Sequence, residues 1–193
     1  MYQIARLMYW LLGWKWTSVV PADLRRFLII AAPHTSNWDF FYAFWAFKLM
    51  RVPIRFTIKD SMMRFPLNLF FGTVGGIAIN RRPRAAGEER PNMVYAMAQL
   101  YKEHDEIAVC VTPEATRALR TKWKSGFYYI ALSAGVPIAL AYCDFTKKEA
   151  GIGKMIYPSG DMDKDMREIM AFYKPLIDKG KYPELSSIDM DYA

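Results

Sequence analysis

Residues 125–143, SGFYYIALSAGVPIALAYC, run 19 positions without a charge. A membrane-spanning helix needs about 20 apolar residues, so a hydropathy window reads this stretch as a span. Gly135 and Pro137 divide it, because glycine ends a helix well and proline then opens the next element. The stretch therefore reads as a buried helix to Ala134 followed by a buried strand, Val136–Cys143. Phe27–Ala32 and Ile107–Val111 are further short apolar runs that fit strands covered on both faces. Ile54–Ile58, Ile77–Asn80 and a weaker Lys154–Tyr157 add to the set. Helical segments lie between them: Asn37–Met50, Pro91–Lys102, and one from Asp161 with Met162, Met166, Ile169, Met170 and Tyr173 at helical spacing. Met62–Phe71 is irregular or helical around Pro66. Strands alternating with helices imply an α/β fold with a mainly parallel central sheet flanked by helices.

At 193 residues the chain is expected to form one domain. Apolar residues make up 53% of it, which excludes a disordered or low-complexity chain. Cys110 and Cys143, both inside apolar runs, exclude a disulfide framework and favour a reduced, cytoplasmic setting. The net charge is +7, and residues 158–193 hold eight Asp/Glu against five Lys/Arg, which leaves +10 on residues 1–157. Such a basic body attracts phosphates, whether on a small substrate, an anionic membrane or nucleic acid. No recognition-helix or RNA-binding aromatic motif supports the last of these.

The N-terminus, MYQIARLMYWLLGWKW, has an eight-residue apolar run from Leu7 to Trp14 between Arg6 and Lys15. It is too short to span a bilayer, and no small-residue cleavage site follows it. At helical spacing Ile4, Leu7, Met8, Leu11 and Leu12 share a face, with Trp10, Trp14 and Trp16 near its borders. Tryptophan flanked by basic residues suits an interfacial helix, so residues 1–20 are read as an amphipathic, membrane-contacting segment ahead of a domain at 21–193. The competing reading is a first helix packed on the domain.

In parallel sheets the working groups sit on loops at the carboxyl ends of strands. His34 occupies such a loop, directly after FLIIAA, and is one of two histidines. A histidine that acts as a general base needs its other ring nitrogen held, commonly by a carboxylate, and Asp39 lies five positions on. In a continuous helix that spacing separates the two by about 140° around the axis. They meet only if the chain turns sharply between them, as Pro33 to Ser36 allow. Ser36-x-x-Asp39 also fits a capping box, which explains Asp39 without catalysis.

Two more loops are chemically loaded. Thr112-Pro113-Glu114-Ala115-Thr116-Arg117 follows the IAVCV strand and sets opposite charges at Glu114 and Arg117. Ile77-Ala78-Ile79-Asn80-Arg81-Arg82 places a guanidinium at a strand end, where a phosphate could accept two hydrogen bonds. His104 sits in a charged helix end and reads as solvated. Asp161, Asp163 and Asp165 fail as a calcium loop, because Met166 and Phe172 stand where Gly and Glu are required. Neither the cysteines nor the histidines have metal-ligand spacing, and Gly72-x-x-Gly75-Gly76 precedes a strand and does not open a helix.

Taken in order, these loops resemble the glycerolipid acyltransferase superfamily, whose best-known members are the 1-acyl-sn-glycerol-3-phosphate acyltransferases. Its H-x4-D block is matched by His34 and Asp39, its second block by Gly76 to Arg81, its P-E-G-T-R block by Pro113 to Arg117, and its V-P-[VI] block by Val136-Pro137-Ile138. The resemblance implies a glycerol-3-phosphate acyltransferase-like fold and acyl transfer from acyl-CoA or acyl-carrier protein to a lysophospholipid at a membrane surface, without a cofactor or metal. It implies that His34 is the general base and Asp39 its partner. Arg81, with Arg117 as a second candidate, would bind the acceptor's phosphate, while Glu114 and Thr116 would hold its glycerol part or the loop. The aromatic surplus, Phe40, Phe41, Trp45, Phe70 and Phe71, could line an acyl groove. Asn80 replaces the family's usual aspartate, Ala115 its glycine and Thr112 its aromatic residue, all in blocks that hold the acceptor. These departures leave the acceptor open among lysolipids, an amino-acid-containing one included. A non-catalytic membrane-surface binding protein is the alternative from another class.

Overall fold

The computed structural model describes residues 1–59, 64–65, 68–69, 72, 75–79, 93–189 and 191–192. At its centre lies β2 (Arg26–Ala31), where Phe27, Leu28, Ile29 and Ile30 are all buried. Successive side chains of a strand point to opposite faces. Leu28 and Ile30 accordingly join one apolar cluster, and Phe27 and Ile29 join another on the far side of the sheet. This double burial is why the run contains no polar residue.

Strand β2 pairs in parallel with β5 (Ile107–Val111) on one side and β6 (Ile138–Asp144) on the other. Beyond β5 lie β3 (Ile54–Lys59) and β4 (Gly76–Ile79), also parallel. Beyond β6 lie β7 (Glu149–Ile156), which is antiparallel to it, and then β1 (Lys15–Ser18), parallel to β7. The order across the described sheet is β1-β7-β6-β2-β5-β3-β4. Three helices, α3 (Met93–Glu103), α4 (Gly126–Ala134) and α5 (Met162–Tyr173), cover the face that carries Leu28 and Ile30. The other face is covered by α2 (Asn37–Leu49), and α1 (Tyr2–Leu12) packs outside α2. Because α2 lies between two layers it is apolar on more than one side: Phe47 meets the sheet cluster, while Ala46 and Leu49 meet Ala5 and Tyr9 of α1.

The α/β architecture with its mainly parallel, helix-flanked sheet is the one expected from the sequence, and three local features differ. Helix α1 stops at Leu12, where Gly13 adopts φ +68° and donates its N–H to the Trp10 carbonyl. Residues expected to belong to an N-terminal helical segment instead form β1, a four-residue, largely exposed edge strand whose sequence, KWTS, has no apolar periodicity to find. Strand β7 spans eight residues where the sequence suggested a weak strand at 154–157. Its glycines lower the apparent strand propensity. Gly151 is nevertheless required, because a Cβ there would lie 2.2 Å from the Thr17 carbonyl oxygen of β1. The expectations for Met62–Phe71 and for Asn80 and Arg81 fall on segments largely or wholly outside the described residues.

Ala115, in the loop after β5, has φ +57°, in the left-handed region. A residue with a Cβ pays about 1–2 kcal/mol there, whereas glycine costs about 0.4–1 kcal/mol of extra chain entropy. Ala115→Gly is therefore expected to raise the melting temperature by about 2 °C, read by calorimetry. A lower melting temperature would show that the methyl group contributes packing that outweighs the strain.

Candidate active site

The loops leaving β2 and β5 meet at the carboxyl end of the sheet. After β2 the chain runs through Pro33 and His34 to Ser36, the N-cap of α2. Ser36 is extended and its hydroxyl accepts the Trp38 N–H at 3.2 Å. Asp39, at the third helical position, closes the capping box: its Oδ2 accepts the Ser36 and Thr35 N–H groups at 2.7 Å each, and its Oδ1 accepts the Ser36 hydroxyl at 3.0 Å. The same Oδ2 lies 3.4 Å from His34 Nδ1, an electrostatic contact somewhat longer than a hydrogen bond. Capping and pairing, which compete as explanations of Asp39 in the sequence, are met here by one carboxylate.

His34 and Asp39 line a cavity of about 970 Å³, at the upper end of the usual range for ligand sites. Its walls are mainly apolar, with Phe40, Phe44, Phe47, Ile54, Met97 and Ile130 among them. Asn37, Thr112, Arg117, Lys124 and Tyr142 supply polar groups. Of the aromatics nominated from sequence, Phe40 reaches this cavity. Phe41 and Trp45 instead pack edge-on against each other, and Phe70 and Phe71 lie outside the described residues. Both cysteines also line the cavity, and burial pushes the Cys110 thiol up to about 12 and the Cys143 thiol well above its ordinary value. They remain protonated at neutral pH and are poor nucleophiles.

Glu114 is 2% exposed and does not line the cavity. One of its oxygens accepts the His34 backbone N–H at 2.7 Å and the other accepts the Ser187 hydroxyl at 2.8 Å. Burial raises its pKa above the ordinary carboxylate range, and these two donors act in the opposite direction. Thr116 accepts the Ala118 N–H at 3.2 Å, a contact within its own loop. Arg117 is exposed and stands on the cavity wall. Arg81 lies outside the described residues. His34, Asp39 and Arg117 are therefore brought to one cavity, while Glu114 and Thr116 hold the loops that form it.

Lys124 and Ser187 escape a reading of the sequence. Lys124 closes the basic run from Arg117, and that run was a usable signal. Ser187 meets Glu114 across 73 positions and belongs to no pattern that spacing could reveal.

Among described residues no group of His, Cys, Asp and Glu could hold a metal ion. Among solved structures the chain is similar to the 1-acyl-sn-glycerophosphate (LPA) acyltransferase PlsC from Thermotoga maritima, with a TM-score of 0.60 at 16% identity over 94% of this chain and 80% of that one. At that identity the likeness concerns the fold. No curated protein matches the sequence. A family model described as Acyltransferase matches residues 19–143, more than half of the chain and the part that carries His34, Asp39 and Arg117, and the chain belongs to that acyltransferase family.

Proposed function

We propose that this acyltransferase moves a fatty acyl group from the thioester of acyl-CoA or acyl-carrier protein to the free hydroxyl of a lysophospholipid. The acceptor in this reading is 1-acyl-sn-glycerol-3-phosphate and the product phosphatidic acid. The observation that carries it is the pairing of His34 with Asp39 on the wall of a large apolar cavity. With Nδ1 turned to Asp39, Nε2 is the nitrogen left for the acceptor hydroxyl. That hydroxyl oxygen attacks the thioester carbonyl while Nε2 takes its proton. The tetrahedral intermediate collapses with loss of the C–S bond, and the departing thiolate recovers the proton from the imidazolium. Asp39 holds the ring's orientation and stabilises its charged form. The acceptor's own oxygen is the nucleophile, which agrees with the protonated state of the cavity thiols.

Arg117, with Arg81, would bind the acceptor phosphate, where a guanidinium offers two parallel hydrogen bonds. The acyl chain would occupy the aromatic and aliphatic end of the cavity. The lipid substrate also suggests where the protein works. Helix α1 buries Ala5 and Tyr9 against α2 and turns Ile4, Leu7, Trp10 and Leu11 outward, with Trp10 76% exposed. Among described residues no helix is long and apolar enough to cross a membrane. An outward apolar face beside Arg6 and Lys15 suits peripheral binding to an anionic surface, here the cytoplasmic face of a membrane.

His34→Ala is expected to lower kcat by about 10²–10⁴-fold with the fold retained by circular dichroism; turnover near the original rate would remove His34 from the mechanism. Arg117→Ala should raise the acceptor's KM by about 10–100-fold and leave that of the thioester alone. Equal kinetics toward phosphate-bearing and phosphate-free acceptors in the unaltered protein would refute the phosphate assignment, and an acceptor panel including amino-acid lysolipids reads both outcomes. Leu7→Ser and Leu11→Ser should each weaken binding to anionic vesicles by about tenfold without lowering the melting temperature. Undiminished vesicle binding in the double variant would exclude α1 as the contact, and vesicle binding without turnover of any thioester would favour a non-catalytic protein.

A further inference from the structure

Beyond residue 143, where the family match ends, the chain returns to the site. After α5 and a 3-10 turn at Lys174–Leu176, residues 180–189 wrap the loops that carry His34 and Glu114. The Tyr182 N–H donates to the Thr35 hydroxyl at 3.2 Å, and Thr35 donates its own N–H to Asp39. Trp123 anchors the segment twice, from its N–H to Asp189 Oδ2 at 3.0 Å and from its indole to the Ser187 carbonyl at 3.2 Å. Between these anchors the Ser187 hydroxyl donates to Glu114 Oε2 at 2.8 Å, and Oε1 of the same carboxylate accepts the His34 N–H at 2.7 Å.

We propose that Ser187 is a positioning residue for acyl transfer, acting through Glu114 on the backbone of His34. This rests on the reading of His34 as the general base. Ser187 and Glu114 are 3% and 2% exposed, so both hydrogen bonds are shielded from bulk water. A buried carboxylate is tolerated only when its oxygens are satisfied. If Oε2 loses its donor, the carboxyl group takes up a proton, which weakens Oε1 as an acceptor for the His34 N–H, or rotates toward another partner, which releases it. The imidazole is carried by that backbone, and catalytic rates are steep functions of sub-ångström placement. Glu114 faces His34 and Asp39 from the β2–α2 side, Tyr173 from α5 and Ser187 from the C-terminal segment. Among these, Ser187 is the group that donates to Oε2.

The test compares the full-length protein with Ser187→Ala, Ser187→Thr and His34→Ala, using palmitoyl-CoA and 1-acyl-sn-glycerol-3-phosphate. Ser187→Ala is expected to lower kcat about tenfold while both KM values stay within about twofold, and Ser187→Thr, which keeps the hydroxyl, restores kcat. The two histidines provide a second readout, since isotope-labelled histidine gives two backbone amide signals. In Ser187→Ala the His34 amide signal should shift as its bond to Glu114 weakens or breaks, while His104 serves as the unmoved reference. Should Ser187→Ala fail to fold, Ser187→Cys, with its weaker donor, is expected to give an intermediate kcat and an intermediate shift. An unchanged kcat, or a lowered one with the His34 amide unmoved and no rescue by threonine, overturns the proposal. If His34→Ala retains turnover, or the unaltered protein has none, the general-base reading fails and this proposal with it. A dead His34→Ala beside a fully active Ser187→Ala overturns the positioning role alone.

Discussion

The carboxylate of Asp39 receives two backbone N–H groups on Oδ2 and a hydroxyl on Oδ1 at the start of α2, and the imidazole of His34 stands 3.4 Å from Oδ2. The five-residue spacing follows from this arrangement. With Ser36 as N-cap, Asp39 is the third helical residue and His34 lies two positions before the cap. A third-position carboxylate that reaches back to the cap comes to rest beside the residues that precede the helix. Moving it by one position would rotate it by about 100° and lose the cap and the imidazole together. A helix cap is worth about 0.5–2 kcal/mol, so the folding of α2 and the pose of the histidine draw on one interaction.

A second carboxylate does the corresponding work on the backbone. Glu114 comes from the loop after β5, the strand adjacent to β2, and its bond to the His34 N–H ties the two loops across the strand ends. The Tyr173 hydroxyl donates to the Ile30 and Ala141 carbonyls at 3.0 Å each, fastening α5 to the same end of β2 and β6. The loop that carries His34 therefore departs from a strand end that α5 holds in place. Side chains supported in this way keep their geometry better than side chains on free loops. Asp39 lies against the imidazole and Glu114 holds the backbone N–H of the same residue, two acidic groups with very different surroundings.

Much of this was legible in the sequence because burial on both faces leaves a plain mark. FLIIAA, IAVCV and the run after Pro137 are uninterrupted apolar strands, and each emerges in the central part of the sheet. The edges were obscure for the opposite reason. β1 is short and exposed, and β7 needs Gly151 where β1 approaches, so neither displays the pattern of a strand. In the site, His34 and Asp39 were visible because a helix start is local. The apolar cavity was only half visible: Phe40 was nominated, whereas Phe44 and Phe47 were not singled out, since the periodicity of a helix buried on several sides does not say which face meets a void. Ser187 was invisible because its contact depends on how the chain returns after α5.

The first turn of α2 also joins the site to the surface. Residues 38, 39 and 40 succeed one another by about 100° around the helix axis. Asp39 points to His34, while Trp38 and Phe40 are 51% and 45% exposed on either side of it. Phe40 lines the cavity as well, so it has one edge in the apolar interior and another at the protein surface. For a lipid substrate this matters, because each methylene passing through water costs about 0.8 kcal/mol. An aromatic side chain on the cavity wall that also carries His34 would shorten that passage. Helix α1 packs on the same α2 and turns its own apolar face outward. If that face lies in a bilayer, as proposed, the packing of α1 on α2 sets the height of Phe40 relative to the lipid. The first twelve residues then act on catalysis without touching a substrate, by deciding where the cavity opens.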